Sequence, residues 1–235
     1  MSVDPLADKN IATSPYMYCN GNPIILVDPD GRDVWELGDD GQIIHVITDE
    51  TQDAIRINSQ QISFDYGTIV SGSHVDRDRG STTFVFKQGA ETEAASAFKF
   101  LADNSMVEYA LINTKNDVSS IFTNHSSHNV DCTDYMLAFG AQNSGITSFY
   151  HNHPSGGTIP SGFGKRNMRG GDKSAISKLN QNVDSYVYGA KSGLIRQYTQ
   201  DIYMSDTEEW HYPSKGVITT SDSSWIFKII SFFIY

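Results

Sequence analysis

The feature of this sequence that most constrains its fold is an apolar stretch ending in two histidines separated by one residue. Residues 146–153 read ITSFYHNH, and a proline follows them. Residues i and i+2 of a β-strand point to the same face, so His151 and His153 would present two imidazoles side by side. Because Pro154 cannot extend a strand ladder, the strand should end there. The pattern predicts a strand that delivers two metal-binding side chains at its end.

Asp172 is the natural candidate for a third metal ligand. It opens a predicted helix that returns from the Gly-rich loop 154–171 to the sheet, and a helix N-terminus favours a carboxylate. A catalytic zinc site uses three protein ligands of the imidazole and carboxylate type, with water as the fourth. The residues thus predict a zinc site formed by His151, His153 and Asp172. On this pattern alone, two solvated histidines at a strand end are the alternative.

Composition narrows the class of protein. The chain has 235 residues and a formal net charge of −11, which disfavours a nucleic-acid-binding surface. Its length suits one good-sized core, or one domain with an appendage. No signal-peptide pattern opens the chain, and the apolar tail 225–235 is shorter than the roughly 20 residues of a membrane-spanning helix. Cys19 and Cys132 are far apart and outside any CxxC pair, which predicts free thiols or core fillers.

Hydrophobic periodicity predicts an α+β fold, with a mixed central β-sheet flanked by helices. Strands are predicted at 34–37, 43–48, 82–87, 106–113, 118–123, 146–153, 186–188 and 194–198. Helices are predicted after Gly89, from Asp131 and from Asp172. Residues 51–80 are polar without a firm period and are predicted to be mixed helix and loop.

The first 32 residues resemble the end of the RHS-repeat core. They contain DPLAD at 4–8, SPYMYCNGNP at 14–23 and DPDGR at 28–32, a dense run of turn-forming residues. In RHS proteins this segment closes a large β-shell, and a variable C-terminal toxin follows it. The resemblance implies that residues from about 33 onward are such a toxin. Self-cleavage near the DPxG motif, as in several RHS families, would fall near Arg32 or Asp33.

The histidine stretch resembles the signature of the JAB/MPN/JAMM metalloproteases. The sequence HNHPSG at 151–156, then PS at 160–161, is close to the form written by the RadC branch, and ALINTKN at 110–116 extends the likeness upstream. The resemblance covers roughly residues 82–190 and implies a cytidine-deaminase-like core. One departure is that the family places its aspartate three positions after the serine, where this chain has Gly164. We therefore expect an insertion within 162–170, with Asp172 as the displaced ligand.

The same resemblance implies two further functional residues. The family needs a glutamate on or just before an upstream strand as general base, and Glu108 matches this position better than Glu91 or Glu93 on the predicted helix. Ser161 would donate a hydrogen bond to the developing oxyanion. His125 and His128 are expected in a solvated loop, and no role is assigned to His45, His74 or His211.

These expectations define three segments and one favoured function. Residues 1–32 would end an RHS core, 33–81 would be an N-terminal extension of the toxin, and 82–235 would be the JAB-like domain with its tail. The function would be zinc-dependent cleavage of a peptide or isopeptide bond in a protein substrate, within the cytoplasm of a competing cell. A cognate immunity protein and the RHS shell are the partners that the resemblance implies. A non-catalytic MPN-type binding module and a nuclease-type toxin are the alternatives.

Overall fold

The residues that the structure describes form a four-stranded and an eight-stranded β-sheet, a separate two-stranded ladder and three helices. The computed structural model describes residues 33–48, 51–75, 80–161, 171–179 and 183–198, and the backbone of 203–204, 210–211 and 217–219. The predicted RHS segment, Cys19, the expected insertion at 162–170 and the tail 225–235 lie outside these residues, so the expectations for them stay predictions.

The smaller sheet has four strands that come from the first part of the chain. In spatial order they are β2 (Ile43–Thr48), β1 (Asp33–Leu37), β3 (Gln52–Ile57) and β4 (Gln60–Asp65). Strands β1 and β3 are parallel, and the other pairs are antiparallel. The hairpin predicted at 34–37 and 43–48 is confirmed.

The larger sheet has eight strands. In spatial order they are β14 (Val217–Thr219), β11 (Leu194–Tyr198), β10 (Asp184–Gly189), β9 (Ile146–His153), β7 (Ala110–Thr114), β8 (Ser119–Thr123), β6 (Ser81–Phe86) and β5 (Ile69–Val75). Only the pair formed by β9 and β10 is parallel. A separate two-stranded ladder joins β12 (Tyr203–Met204) to β13 (Trp210–His211). Strand β9 is central in the larger sheet and has the predicted bounds.

Three helices cover the two faces of the larger sheet. Helix α1 (Glu91–Asn104) buries Ala94, Phe98 and Leu101 in one core, which also contains Leu111 and Tyr150 of the sheet. Helix α2 (Thr133–Gln142) buries residues in the second core, on the opposite face, and α3 (Gly171–Lys178) packs against that core. The α+β prediction is confirmed.

The prediction for residues 51–80 is wrong, because this segment forms β3, β4 and β5. A two-residue turn with positive φ at Asn58 and Ser59 connects β3 to β4, as in tight hairpins. The sequence signal for a strand was weak at β4, because this strand exposes its polar side chains and therefore has the composition of a loop. The strand predicted at 106–113 begins only at Ala110 in the structure.

The two sheets share one hydrophobic core. Trp35 of β1 is fully buried and makes an edge-to-face contact with Phe84 of β6, with the ring centroids 5.7 Å apart. The indole lies directly over Gly72 of β5, where a Cβ atom would be only 2.3 Å from Trp35 Nε1. The extension predicted for 33–81 is thus packed against the larger sheet and contributes its edge strand β5.

Replacing Gly72 with alanine should destabilise the fold, because the added methyl group would overlap the buried indole. Overpacking of this kind costs about 1–3 kcal/mol. Chemical denaturation of the full chain measures the change in the free energy of unfolding. Gly157→Ala is the control, since the nearest atom to a Cβ there is 3.9 Å away. Equal stability of the two variants would contradict the close contact between the sheets.

Candidate metal centre

Strand β9 delivers two histidines to one point at its C-terminal end. The Nε2 atoms of His151 and His153 are 3.3 Å apart. His151 is only 1% exposed, and its ring stacks on Phe149, two residues earlier on the same face. The alternation of the strand thus places the two imidazoles side by side on the face that Phe149 occupies, as the sequence predicted.

Asp172, in the first turn of α3, joins the two histidines. Its Oδ2 lies 3.3 Å from His151 Nε2, and the ligand atoms of all three residues lie within 4.8 Å of one another. The backbone N–H of Ser161 donates to Asp172 Oδ2 (2.5 Å), and the backbone N–H of Asp172 donates to Ser161 Oγ (3.1 Å). These reciprocal bonds hold the carboxylate next to Ser161, in the loop that follows β9.

The three residues suit a zinc ion by donor type and by spacing. Two imidazole nitrogens and one carboxylate oxygen are a common catalytic zinc set, which leaves the fourth position open. Ligand bonds of about 2.0–2.1 Å in a tetrahedron put neighbouring donor atoms about 3.3–3.4 Å apart. The two separations around His151 Nε2 agree with that edge length. Within the described part of the chain, this is the one such cluster of three metal-binding side chains.

Burial and charge pairing set the protonation of the three groups. Burial acts to lower the pKa of His151, but the charges of Asp172 and Glu108 outweigh it and raise this pKa. Burial acts to raise the pKa of Asp172, but His151 and the Ser161 N–H lower it to about 2. Burial and the neighbouring His151 lower the pKa of His153 to about 4. Without a metal ion, these shifts favour the protonated form of His151 beside the ionised Asp172 and the neutral form of His153.

Glu108 lies beside this cluster, immediately before β7. Ala110 pairs with His151 across the β7–β9 ladder, so Glu108 comes two residues before the position opposite the ligand. Its side chain is 8% exposed, and the backbone N–H of Val130 donates to Oε2 at 3.1 Å. Burial raises the pKa of Glu108 to about 7, with Asp172 adding to the rise and His151 opposing it. The structure thus brings the predicted base into the electrostatic field of the predicted ligands.

Ser161 has a role that the sequence did not suggest. Its backbone N–H and its Oγ are both bonded to Asp172, so the residue stabilises the start of α3. The predicted hydrogen bond to an oxyanion stays a prediction.

Sequence reasoning missed Asn152, the residue between the two histidines. Its side chain is completely buried and bonds to the backbone on both sides of Glu108. The only available signal was its place inside the HNH triplet.

The remaining histidines lie outside the metal-binding cluster. His74 and His125 both bond to the hydroxyl of Thr82, at 3.2 and 2.9 Å, and their rings lie 5.2 Å apart. His125 is therefore half-buried and not solvated as predicted, whereas His128 is exposed. His45 is mostly exposed and bonds to Glu36, and of His211 only the backbone is described. Cys132 is a buried free thiol, as predicted.

The comparison with protein families identifies the region that carries this site. Residues 86–177 match the family JAB-like toxin 1. The matched stretch contains Glu108, both histidines, Ser161 and Asp172, and runs from the end of β6 into α3. No curated protein and no solved structure matches the chain. This region is thus similar to a JAB-like toxin domain, in agreement with the resemblance seen in its motif.

Glu108→Gln should stabilise the metal-free protein above neutral pH. Below about pH 4.5 the side chain is protonated in both the folded and the unfolded state, so its ionisation does not change the free energy of unfolding. As the pH rises toward 7, the unfolded chain ionises first, which penalises the folded state by up to about 3 kcal/mol for the pKa rise from 4.5 to about 7. The Gln variant lacks this penalty.

Urea denaturation with a chelator present, at pH 4.5 and pH 8, measures the effect. The gain of Glu108→Gln over wild type should appear at pH 8 and be much smaller at pH 4.5. A gain that is the same at both values would contradict the raised pKa.

Proposed function

We propose that this chain is a zinc-dependent hydrolase that cleaves a peptide or isopeptide bond and acts as the toxin of an RHS-type polymorphic toxin. The observation that carries the proposal is the convergence of His151, His153 and Asp172 with Glu108 buried next to them. All four residues lie in the stretch that matches the JAB-like toxins. Two imidazoles, a carboxylate and a nearby base of raised pKa are the groups that metal-assisted hydrolysis requires.

His151, His153 and Asp172 would hold the ion. A bound zinc ion supplies a Lewis acid that lowers the pKa of a water molecule and polarises a carbonyl group. A proton on His151 Nε2 would have to leave before an ion could bind, because a metal ligand must present a free nitrogen. Asp172 then remains ionised and offsets part of the positive charge.

Glu108 would act as the general base and then as the general acid. A carboxyl group with a pKa of about 7 can accept a proton from the attacking water and return it to the leaving amine. Burial keeps competing water away, and the Val130 N–H bond engages only one of the two carboxylate oxygens.

Ser161 would contribute to binding the developing oxyanion. Its Oγ accepts a bond from the Asp172 backbone, and a hydroxyl that accepts one bond still has its own hydrogen to donate. Loss of a single oxyanion donor typically lowers the rate by about 100-fold or more. The same serine would thus position a ligand and stabilise charge.

The biological setting follows from the toxin family and from the first 32 residues. A toxin of this kind would be released from an RHS shell, delivered into a competing cell and act in its cytoplasm, while a cognate immunity protein protects the producer. No helix in the described residues is long and apolar enough to cross a membrane. The net charge of −11 disfavours a nucleic-acid substrate, which supports a protein substrate instead.

The proposal is tested by expressing the full chain in bacteria from an inducible promoter. Wild type should arrest growth and purify with about one zinc ion per chain by mass spectrometry. His151→Ala should lose most of the metal and the growth arrest. Glu108→Gln should keep the metal and lose the growth arrest. His128→Ala is the matched control, an exposed histidine outside the cluster, and should behave like wild type.

Three results would contradict the proposal. If the wild-type protein purifies without stoichiometric metal, the proposed zinc site is refuted. Growth arrest by Glu108→Gln, together with bound metal, would favour a non-catalytic binding module. Metal-dependent degradation of plasmid or RNA by the purified chain would favour the nuclease alternative.

A further inference from the structure

We infer that Asn152 is a positioning residue that holds the general base Glu108 in register with the metal ligands. The inference rests on the proposed function, because it assigns Asn152 a role through Glu108. No contact between Asn152 and a substrate or a metal ion is involved.

Asn152 bonds to the chain on both sides of Glu108. Its Oδ1 accepts from the backbone N–H of Tyr109 at 2.6 Å, and its Nδ2 donates to the carbonyl of Val107 at 3.2 Å. Its own backbone N–H also donates to the carbonyl of Tyr109 at 3.3 Å. One residue between the two histidines thus makes three hydrogen bonds to the residues that flank the base.

The segment needs this support because it does not belong to a regular ladder. Strand β7 begins at Ala110, so Glu108 lies in an irregular stretch. The backbone of Glu108 itself is bonded to the end of β8 and to the loop that follows: its N–H donates to the carbonyl of Ser126 (2.8 Å), and its carbonyl accepts from Thr123 Oγ1 (2.8 Å). The carboxamide replaces the missing strand partners and satisfies buried polar groups that would otherwise cost about 1–3 kcal/mol each.

The arrangement couples the base to the ligands by geometry. Because Asn152 lies between His151 and His153 in β9, a movement of this end of the strand moves the two imidazoles and the carboxamide together. The carboxamide in turn bonds to both neighbours of Glu108, so it contributes to fixing the position of the base relative to the two histidines. A displacement of about 1 Å at such a site is enough to lower a rate by about 100-fold.

Asn152→Ala tests the inference against a matched control. Asn113→Ala also removes a buried asparagine from the β7–β9 pair, at the end of the pair that lies away from the histidines. Asn113 is 3% exposed and bonds to the side chains of Glu91, Ser148 and Ser119. The two variants should lose similar stability, so a difference between them reports on position and not on folding.

Three measurements on the full chain separate the outcomes. For Asn152→Ala we expect zinc affinity, from competition with a chromophoric chelator, within about threefold of wild type, since both histidines and Asp172 remain. The inducer concentration that halves bacterial growth should rise at least tenfold. Deuterium exchange at the amide of Tyr109 should accelerate at least tenfold relative to that of Ile121. Asn113→Ala should change none of the three.

Asn152→Asp decides the matter if the alanine variant does not fold. It keeps the acceptor for Tyr109 but replaces the donor to Val107 with a carboxylate oxygen, so growth inhibition should fall at least tenfold while the Tyr109 amide stays protected.

The inference is overturned if Glu108→Gln is inactive while both Asn152 variants inhibit growth like wild type, or if Tyr109 exchange is unchanged in Asn152→Ala. Growth arrest by Glu108→Gln itself would instead refute the proposed function, with the exchange result unaffected.

Discussion

The alternation of side chains along β9 is the constraint on which the site depends. Phe149 and His151 share one face, and Phe149 packs in the core beneath α2. Tyr150 belongs to the other core and stacks on Tyr186, with ring centroids 4.5 Å apart. A strand buried on both faces cannot slip by one residue without exchanging its two sets of side chains. The packing of Phe149 and Tyr150 therefore fixes the direction of both histidines of the candidate metal site.

The electrostatics of the site favour a divalent cation. Two carboxyl groups, Asp172 and Glu108, lie close to a buried histidine, and burial opposes the charged form of each. Without a metal ion, the cluster limits this cost by pairing His151 with Asp172 and by keeping Glu108 protonated until about pH 7. A doubly charged ion would replace one proton and stabilise both carboxylates. Buried charges that are only partly compensated are a frequent mark of functional sites.

The sequence predicted the proximity of His151, His153 and Asp172 better than the fold around them. The bounds of β9 and the position of Asp172 follow from local signals: an apolar run, a proline and a helix start. Strand β4 escaped prediction because its exposed polar side chains give it a loop-like composition. The start of β7 was misplaced because Asn152, more than 40 residues away, supplies bonds that a strand partner would otherwise make. The contact of Trp35 with Gly72 is also non-local, and no pattern within either segment reveals it.

The support for Glu108 extends beyond the stretch that resembles the JAB-like toxins. The turn between β1 and β2, at residues 38–42, lies outside the matched residues 86–177, yet it contacts the segment around the base. The carbonyl of Asp39 accepts a bond from the Met106 N–H at 3.5 Å, and a Cβ on Gly41 would lie 2.5 Å from the hydroxyl of Tyr109. Gly41 has a φ of +76°, which suits glycine at such a close approach. The turn between β1 and β2 thus contacts the same segment that Asn152 bonds to, so these two strands contribute to the position of Glu108, the proposed base.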